Sequence, residues 1–257
     1  MDIFTWRARR QLFYLAIFTA LALAVLGGVI FWFLAEPTCF DGRKNQGEEK
    51  IDCGGPCEKK CAGETENLVI LWSRAIKTSA GIYDAAALVE NPNIFAGVQN
   101  LPYKFKLYDN RNVLVGVKEG RIFVNPAERF IIFEPGIATK ERIPARAVLE
   151  LADEGEISWL RIEKKTPNFL VEKKTFFKDP SPFLEVKARN QSLTSFSEVY
   201  VNAVIYDKNN NVQAASQTIL DAVEPGALRS VFFTWREPFE REAEVIEIFF
   251  RTNQTKF

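Results

Sequence analysis

Tyr103-Lys104-Phe105-Lys106-Leu107-Tyr108-Asp109 and, 98 residues on, Val201-Asn202-Ala203-Val204-Ile205-Tyr206-Asp207 decide the fold. In the first run Tyr103, Phe105 and Leu107 alternate with Lys104, Lys106 and Tyr108. In the second, Val201, Ala203 and Ile205 alternate with Asn202, Val204 and Tyr206. A period of two is the signature of a half-buried strand. Each run ends in turn formers, Asp109-Asn110-Arg111-Asn112 and Asp207-Lys208-Asn209-Asn210-Asn211. Asn and Asp accept left-handed dihedrals and cap their own backbone, so each strand should fold back as a hairpin. Apolar-rich strands resume at Val113 and Val212.

Other landmarks repeat in the same order. Asn91 corresponds to Asn190, Pro126–Phe133 to Pro225–Phe233 with one insertion, and Ala147–Leu151 to Glu244–Ile248. Trp72 and Trp159 open the two stretches. Such spacing predicts a tandem repeat of two bodies, 67–153 and 155–257. The first gains strands over Val69–Ala75, Ala85–Val89, Arg121–Val124, Phe130–Phe133 and Ala147–Leu151. The second gains Ile157–Ile162, Phe183–Ala188, Ala214–Leu220, Ser230–Trp235 and Val245–Arg251. Six or seven short strands per body predict a mainly β protein of two immunoglobulin-like β-sandwiches. Tyr108 and Tyr206 are expected on a solvated or edge face.

The other end of the chain follows a different pattern. Leu12 to Ala35, LFYLAIFTALALAVLGGVIFWFLA, carries no charge over 24 residues. As a helix it reaches about 36 Å, against a hydrocarbon core of roughly 30 Å. Tyr14 and Trp32 sit near its ends, Arg7, Arg9 and Arg10 precede it, and Glu36 follows. The positive-inside bias predicts a cytoplasmic tail over 1–11, a single-pass transmembrane helix over 12–35 and an extracytoplasmic remainder in the cell envelope. A cleaved signal peptide fits less well. Its apolar run would be shorter, and a cut after Ala35 would leave Phe33 at −3, where a small residue belongs.

All four cysteines, Cys39, Cys53, Cys57 and Cys61, fall in the next segment, 36–66. Outside the membrane, two disulfides would replace the core so short a segment cannot build, with three pairings open. A four-cysteine zinc site is the rival, although zinc ribbons use C-x2-C pairs and this spacing is C-x13-C-x3-C-x3-C. Asp41, Asn45, Glu48 and Asp52 offer oxygen ligands for calcium. An EF-hand does not fit, because Arg43, Gln46 and Asp52 would hold positions 3, 6 and 12. A looser calcium site and simple Asx turns both remain open.

Two resemblances follow from these strings. Cys39-Phe40-Asp41-Gly42-Arg43-Lys44-Asn45-Gln46-Gly47-Glu48, continuing through Asp52-Cys53-Gly54-Gly55-Pro56-Cys57 to Cys61, resembles a cysteine-rich module of surface proteins, C-x-D-G-x-x-N-x-x-E then D-C-G-G-x-C. It implies a compact disulfide spacer near the cell surface, without catalytic residues. Phe105, Leu107, Tyr108 and Asp109 match the motif of the FxLYD domain, an immunoglobulin-like module of bacterial and archaeal envelope proteins. The second copy keeps only Tyr206 and Asp207. That resemblance implies a fold and a location, and no reaction.

Composition narrows the function classes. Among 257 residues, 33 Lys plus Arg balance 33 Asp plus Glu, and histidine is absent. There is no basic excess to favour nucleic acid. Without histidine, Ser-His-Asp, Cys-His and His-zinc sites cannot be built. Phosphate-loop, dinucleotide-fold and nucleophile-elbow strings do not occur. Glu150 and Glu247 read as solvated strand residues rather than a glycosidase pair. Glu163-Lys164-Lys165 and Glu172-Lys173-Lys174 read as an insertion that meets anionic polymer or lipid, or as solvated loop charge. Asn190-Gln191-Ser192 and Asn253-Gln254-Thr255 fit the N-glycosylation pattern. Phe249-Phe250 reads as core, with a partner-docking surface as the alternative. The expectation is a non-catalytic binding or scaffolding protein of the envelope, with the lipid bilayer and another envelope protein as partners. Its alternatives are a calcium-dependent adhesion or ligand-binding module and an envelope enzyme. No cofactor is expected unless calcium binds, and the oligomeric state is open.

Overall fold

The computed structural model describes residues 6–34, 38–61, 63–163, 167–179, 181–239 and 241–255. The first five residues of the expected cytoplasmic tail, Ala35, Glu36 and the Lys164-Lys165 pair lie outside them. The chain divides into two compact units, Met1–Pro56 and Cys57–Phe257, a boundary inside the expected 36–66 segment.

The first unit contains α1, Trp6–Leu34, running unbroken through Gly27-Gly28. Its Arg9–Ile30 stretch has a mean hydropathy of 2.4 and buries nothing against protein. A helix satisfies its own backbone hydrogen bonds, so its apolar side chains are free to meet lipid. By length and composition it can cross a bilayer, a property a signal sequence shares. Residues 38–56 are turns, bends and coil, closed by a bridge between Lys50 and Cys53.

The described residues of the second unit form thirteen strands: β1 Val69–Ser79, β2 Ile82–Glu90, β3 Ala96–Tyr108, β4 Leu114–Val124, β5 Arg129–Ala138, β6 Arg146–Leu151, β7 Trp159–Arg161, β8 Phe169–Phe177, β9 Phe183–Asn190, β10 Val199–Tyr206, β11 Val212–Leu220, β12 Leu228–Thr234 and β13 Val245–Arg251. Sheets β1-β2-β5 and β4-β3-β6 make the first sandwich, and β8-β9-β12 and β11-β10-β13 the second. The two sandwiches share one strand order. Their pairings are antiparallel throughout. The predicted alternation is present: Phe105 and Leu107 enter a core with Val89, Phe130 and Ile132. In the second sandwich Val201 and Ala203 meet Leu184, Val186, Val231 and Phe233.

One strand falls on the other side of the expected division. Residues 157–162 were expected to open the second body, yet β7 pairs with β3 through Val98↔Trp159, and Trp159 is buried in the first core. The reason is the length of β3. Its pairing with β6 covers only Tyr103 to Tyr108, leaving Ala96–Val98 as an open edge for β7 to complete. Gly97 permits this, since a Cβ there would lie 2.5 Å from both Ile162 Cδ1 and Val124 O.

A third core joins the sandwiches. Trp72, Ile76, Ala86, Leu88, Ile131 and Phe133 on the outer face of β1-β2-β5 pack against Val204, Tyr206, Val212, Ala215 and Phe249 of β11-β10-β13. Strands β2 and β10 therefore contain long uninterrupted buried runs, being covered on both faces.

Candidate functional site

The two Asp residues of the repeated motif anchor equivalent turns. Asp109 Oδ1 accepts the N–H groups of Arg111 and Val113, both at 2.9 Å, and Arg142 Nη1 donates to Oδ2 at 2.7 Å. Asp207 Oδ1 accepts from Asn209 at 2.8 Å and Asn211 at 2.9 Å, while Arg241 Nη1 donates to Oδ2 at 2.5 Å. Asn112 and Asn210 supply the positive φ each turn requires, 60° and 58°. The Arg241 guanidinium and then the Asn211 N–H hold the Asp207 carboxyl well below its usual range. For Asp109 the Val113 N–H is the leading cause of a downward shift, with Arg111 and Arg142 adding to it.

The tyrosines diverge. Tyr108 is half-buried beneath Arg146, whose guanidinium carbon lies 4.6 Å from the ring centre. Tyr206, expected on a solvated or edge face, is instead buried in the joint between sandwiches. Its ring meets Trp72 edge-on at 6.3 Å and its hydroxyl donates to Glu247 Oε2 at 2.8 Å. Burial, reinforced by Glu247, raises its pKa. The outer face of β10 is covered by protein, which a single strand's alternation does not reveal. Both strand glutamates are exposed, as the sequence suggests: Glu247 accepts the Tyr206 hydroxyl, and Glu150 pairs with Lys106 at 2.8 Å.

Asn190 is fully buried. Its Nδ2 donates to the carbonyls of Thr194, Val223 and Glu224, and its Oδ1 accepts the Ser192 N–H. Asn91 repeats the arrangement with Ala96, Asn125 and Asn93. The Asn190 triplet is thus a loop clamp, and its amide is inaccessible to glycosylation in the fold. In the second triplet, Asn253 Oδ1 accepts both the N–H and the hydroxyl of Thr255.

All four cysteines are disulfide-bonded, leaving no thiolate for the zinc alternative. Of the oxygens proposed for calcium, those of Asp41, Asp52 and Glu48 are turned onto neighbouring donors, whereas Asn45 Oδ1 is buried without a hydrogen-bond partner among the described residues. Asp41 Oδ2 accepts from Asn45 Nδ2 at 2.7 Å, the leading cause of its lowered pKa, and its Oδ1 accepts from the Arg43 N–H. Both Asp52 oxygens accept the Gly42 N–H at 3.1 Å, and Glu48 Oε2 accepts those of Asn45 and Asp52. The Asp41–Arg43 contact is an Asx turn, and the others tie separate stretches of a tight coil together. The coil also needs Gly55, where a Cβ would lie 2.2 Å from Gly47 O.

Phe249 belongs to the joint, and Phe250 stacks on Phe169 at 4.9 Å inside the second sandwich. Neither provides the docking surface considered from sequence. Glu172-Lys173-Lys174 lies on β8 rather than in a loop, with Glu172 paired to Arg189 and Lys174 donating to Ile246 O.

Two features had no signal in the sequence. Arg251, only 2% exposed, reaches from β13 into the first sandwich. It binds Glu128 with Nε at 2.8 Å and Nη2 at 3.0 Å, donates to Phe123 O, and lies 4.3 and 4.2 Å from the ring centres of Phe123 and Phe130. Asn125 supports it, donating to Thr252 O and accepting the Gln254 N–H. The second feature is a cleft of about 550 Å³ between β1 and β11, bounded also by residues 235–239. Arg74, Lys77, Arg236 and Arg241 line it against two carboxylates, Asp84 and Glu237. Asp84 accepts the Gly136 N–H at 2.9 Å, and its burial raises its pKa.

No family model matches the chain, and no curated protein matches it. Among solved structures it is similar to a transglutaminase from red sea bream, at 12% identity, over 75% of this chain and 30% of that one, with a TM-score of 0.22. The chain spans less than a third of that protein's length. A likeness this distant carries no functional argument.

Proposed function

We propose that this chain is a membrane-anchored extracytoplasmic protein of the cell envelope with a non-catalytic binding or scaffolding role. In this reading α1 is an uncleaved span with its arginine-rich end in the cytoplasm. The cysteine-rich segment is a spacer, and the sandwiches are FxLYD-type domains derived by duplication. The disulfides suit an oxidising exterior. Matching strand orders, turn anchors and asparagine clamps support the duplication.

The observation that carries the reading is the buried joint. Apolar packing and the Arg251–Glu128 pair make one body of two sandwiches that would otherwise swing on a linker. A body fixed in this way presents surfaces from both domains in constant register, as a scaffold requires. The polar residues singled out by the sequence serve its turns and clamps.

Crosslinking in intact cells followed by mass spectrometry tests the proposal. Recovery of an envelope protein joined to residues of 57–257 is the expected result. A solitary outer region that turns over a cell-wall substrate would overturn it, as would crosslinks confined to cytoplasmic proteins.

A further inference from the structure

We infer that the cleft between β1 and β11 binds an extended acidic segment of a partner polypeptide, seating its carboxylates against Lys77 and Arg236 and an apolar side chain against Trp235. This rests on the binding role proposed above and names its site and the chemistry of its partner.

Charge comes first. The chain as a whole is neutral, yet four cations face two carboxylates here. Arg241 is committed to Asp207, and among the described residues Arg74 donates only to the adjacent Ser73 carbonyl. The exposed side chains of Lys77 and Arg236 make no ion pair or hydrogen bond among the described residues. Of the two carboxylates, Asp84 is spent on the Gly136 N–H. Unpaired cations in a concave site attract anionic ligands and orient them.

Apolar surface is set beside that charge. Trp235 is pinned by its Nε1 donating to Ala215 O at 3.1 Å, and its ring lies 6.4 Å from Phe233 and 5.4 Å from Phe239. Ile143, 73% exposed, stands at the same cleft. The aromatic wall is thus ordered before a ligand arrives, which lowers the entropic cost of binding. The volume falls in the range of roughly 300–1,000 Å³ typical of ligand sites. A small inorganic anion would leave the apolar part unused.

The flanks favour polypeptide over glycan. Both β1 and β11 are outer strands of their sheets, so an extended segment along the cleft lies beside backbone edges as well as side chains. The side-chain amides that would read sugar hydroxyls are already engaged. Asn211 serves Asp207, and Gln213 bonds Glu242 and Arg241.

The test uses the full chain in detergent micelles and a fluorescein-labelled peptide of alternating Glu and Leu, about eight residues long to span the cleft when extended. Saturable binding by anisotropy is expected, weakened by salt. It should weaken by at least about tenfold in K77E/R236E. Both substitutions are at exposed positions, and unchanged circular dichroism and melting temperature would confirm that the variant folds. Ile143→Asp should weaken binding independently. Equal binding by wild type and the double variant would overturn the inference, as would tighter binding of polygalacturonate than of the peptide. Crosslinking in cells separates the two levels of the argument. A partner kept by K77E/R236E removes the cleft and leaves the envelope-binding reading standing. Absence of any extracytoplasmic partner in wild type removes both.

Discussion

Asn190 changes meaning between sequence and structure. Its triplet matches a glycosylation acceptor, yet the nitrogen that would carry the sugar donates to three backbone carbonyls in the core. Asn190→Ala removes those donors and strands buried acceptors, so a loss of about 2–4 kcal/mol is expected by urea unfolding. Asn190→Asp should also destabilise, because a carboxylate cannot donate. A variant as stable as wild type would remove the clamp. Asp207 makes a second prediction, on pH. Its folded pKa is depressed, so its contribution is fully present above the unfolded value of about 3.9 and is lost as pH falls through the folded value. Asp207→Asn should therefore lower the urea midpoint at pH 7, with the deficit shrinking steadily below pH about 4. A deficit independent of pH would show that the charge plays no part. The Asx half of this anchor was legible, because Asp207, Asn209 and Asn211 are neighbours in the chain. Arg241 was not, since a partner 34 residues away leaves no local pattern.

At the scale of the element, β10 shows where pattern reading reaches its limit. Alternation identified Val201, Ala203 and Ile205 as one face, and Val201 and Ala203 do lie in the second core. Turn chemistry located both hairpins for the same reason, that the information is local. The opposite face, Asn202, Val204 and Tyr206, mixes polar with apolar and reads as solvated. It is buried, because the sheet it belongs to packs on the outer face of another. The third core was invisible for that reason, and β7 was misassigned for a similar one: only the three-dimensional length of β3 shows an edge to be filled. Asn202 carries the consequence. It is fully buried, and neither its Nδ2 nor its Oδ1 has a hydrogen-bond partner among the described residues. An unsatisfied buried amide costs about 1–3 kcal/mol. Asn202→Val, which suits a strand and removes both groups, should raise stability by a similar amount. Chemical denaturation would check it, and a loss of stability would mean that the amide is paired in solution.

For the whole molecule the question is whether two sandwiches behave as one. Tandem domains on a short linker unfold separately unless their interface is large and apolar. Here the third core supplies the apolar part, and Arg251 joins β13 to Glu128 and to two aromatic rings of the other sandwich. These residues lie 123 positions apart, so the sequence holds no trace of the pairing. A buried ion pair adds little net stability, because desolvation offsets its attraction, but removing one partner leaves a buried charge uncompensated at a cost of about 3–5 kcal/mol. Arg251→Ala should therefore weaken the joint more than either core. Calorimetry on the full chain in detergent should show a single transition for the two wild-type sandwiches and two separate ones for Arg251→Ala. The second substitution, Glu128→Ala, isolates the charge. If the pair holds the joint, adding it to Arg251→Ala should recover part of the loss, since no carboxylate is then stranded. If the double variant is as damaged as the sum of the singles, the two residues act independently. Two transitions already present in wild type would mean that the sandwiches are coupled too weakly to present surfaces in a fixed register.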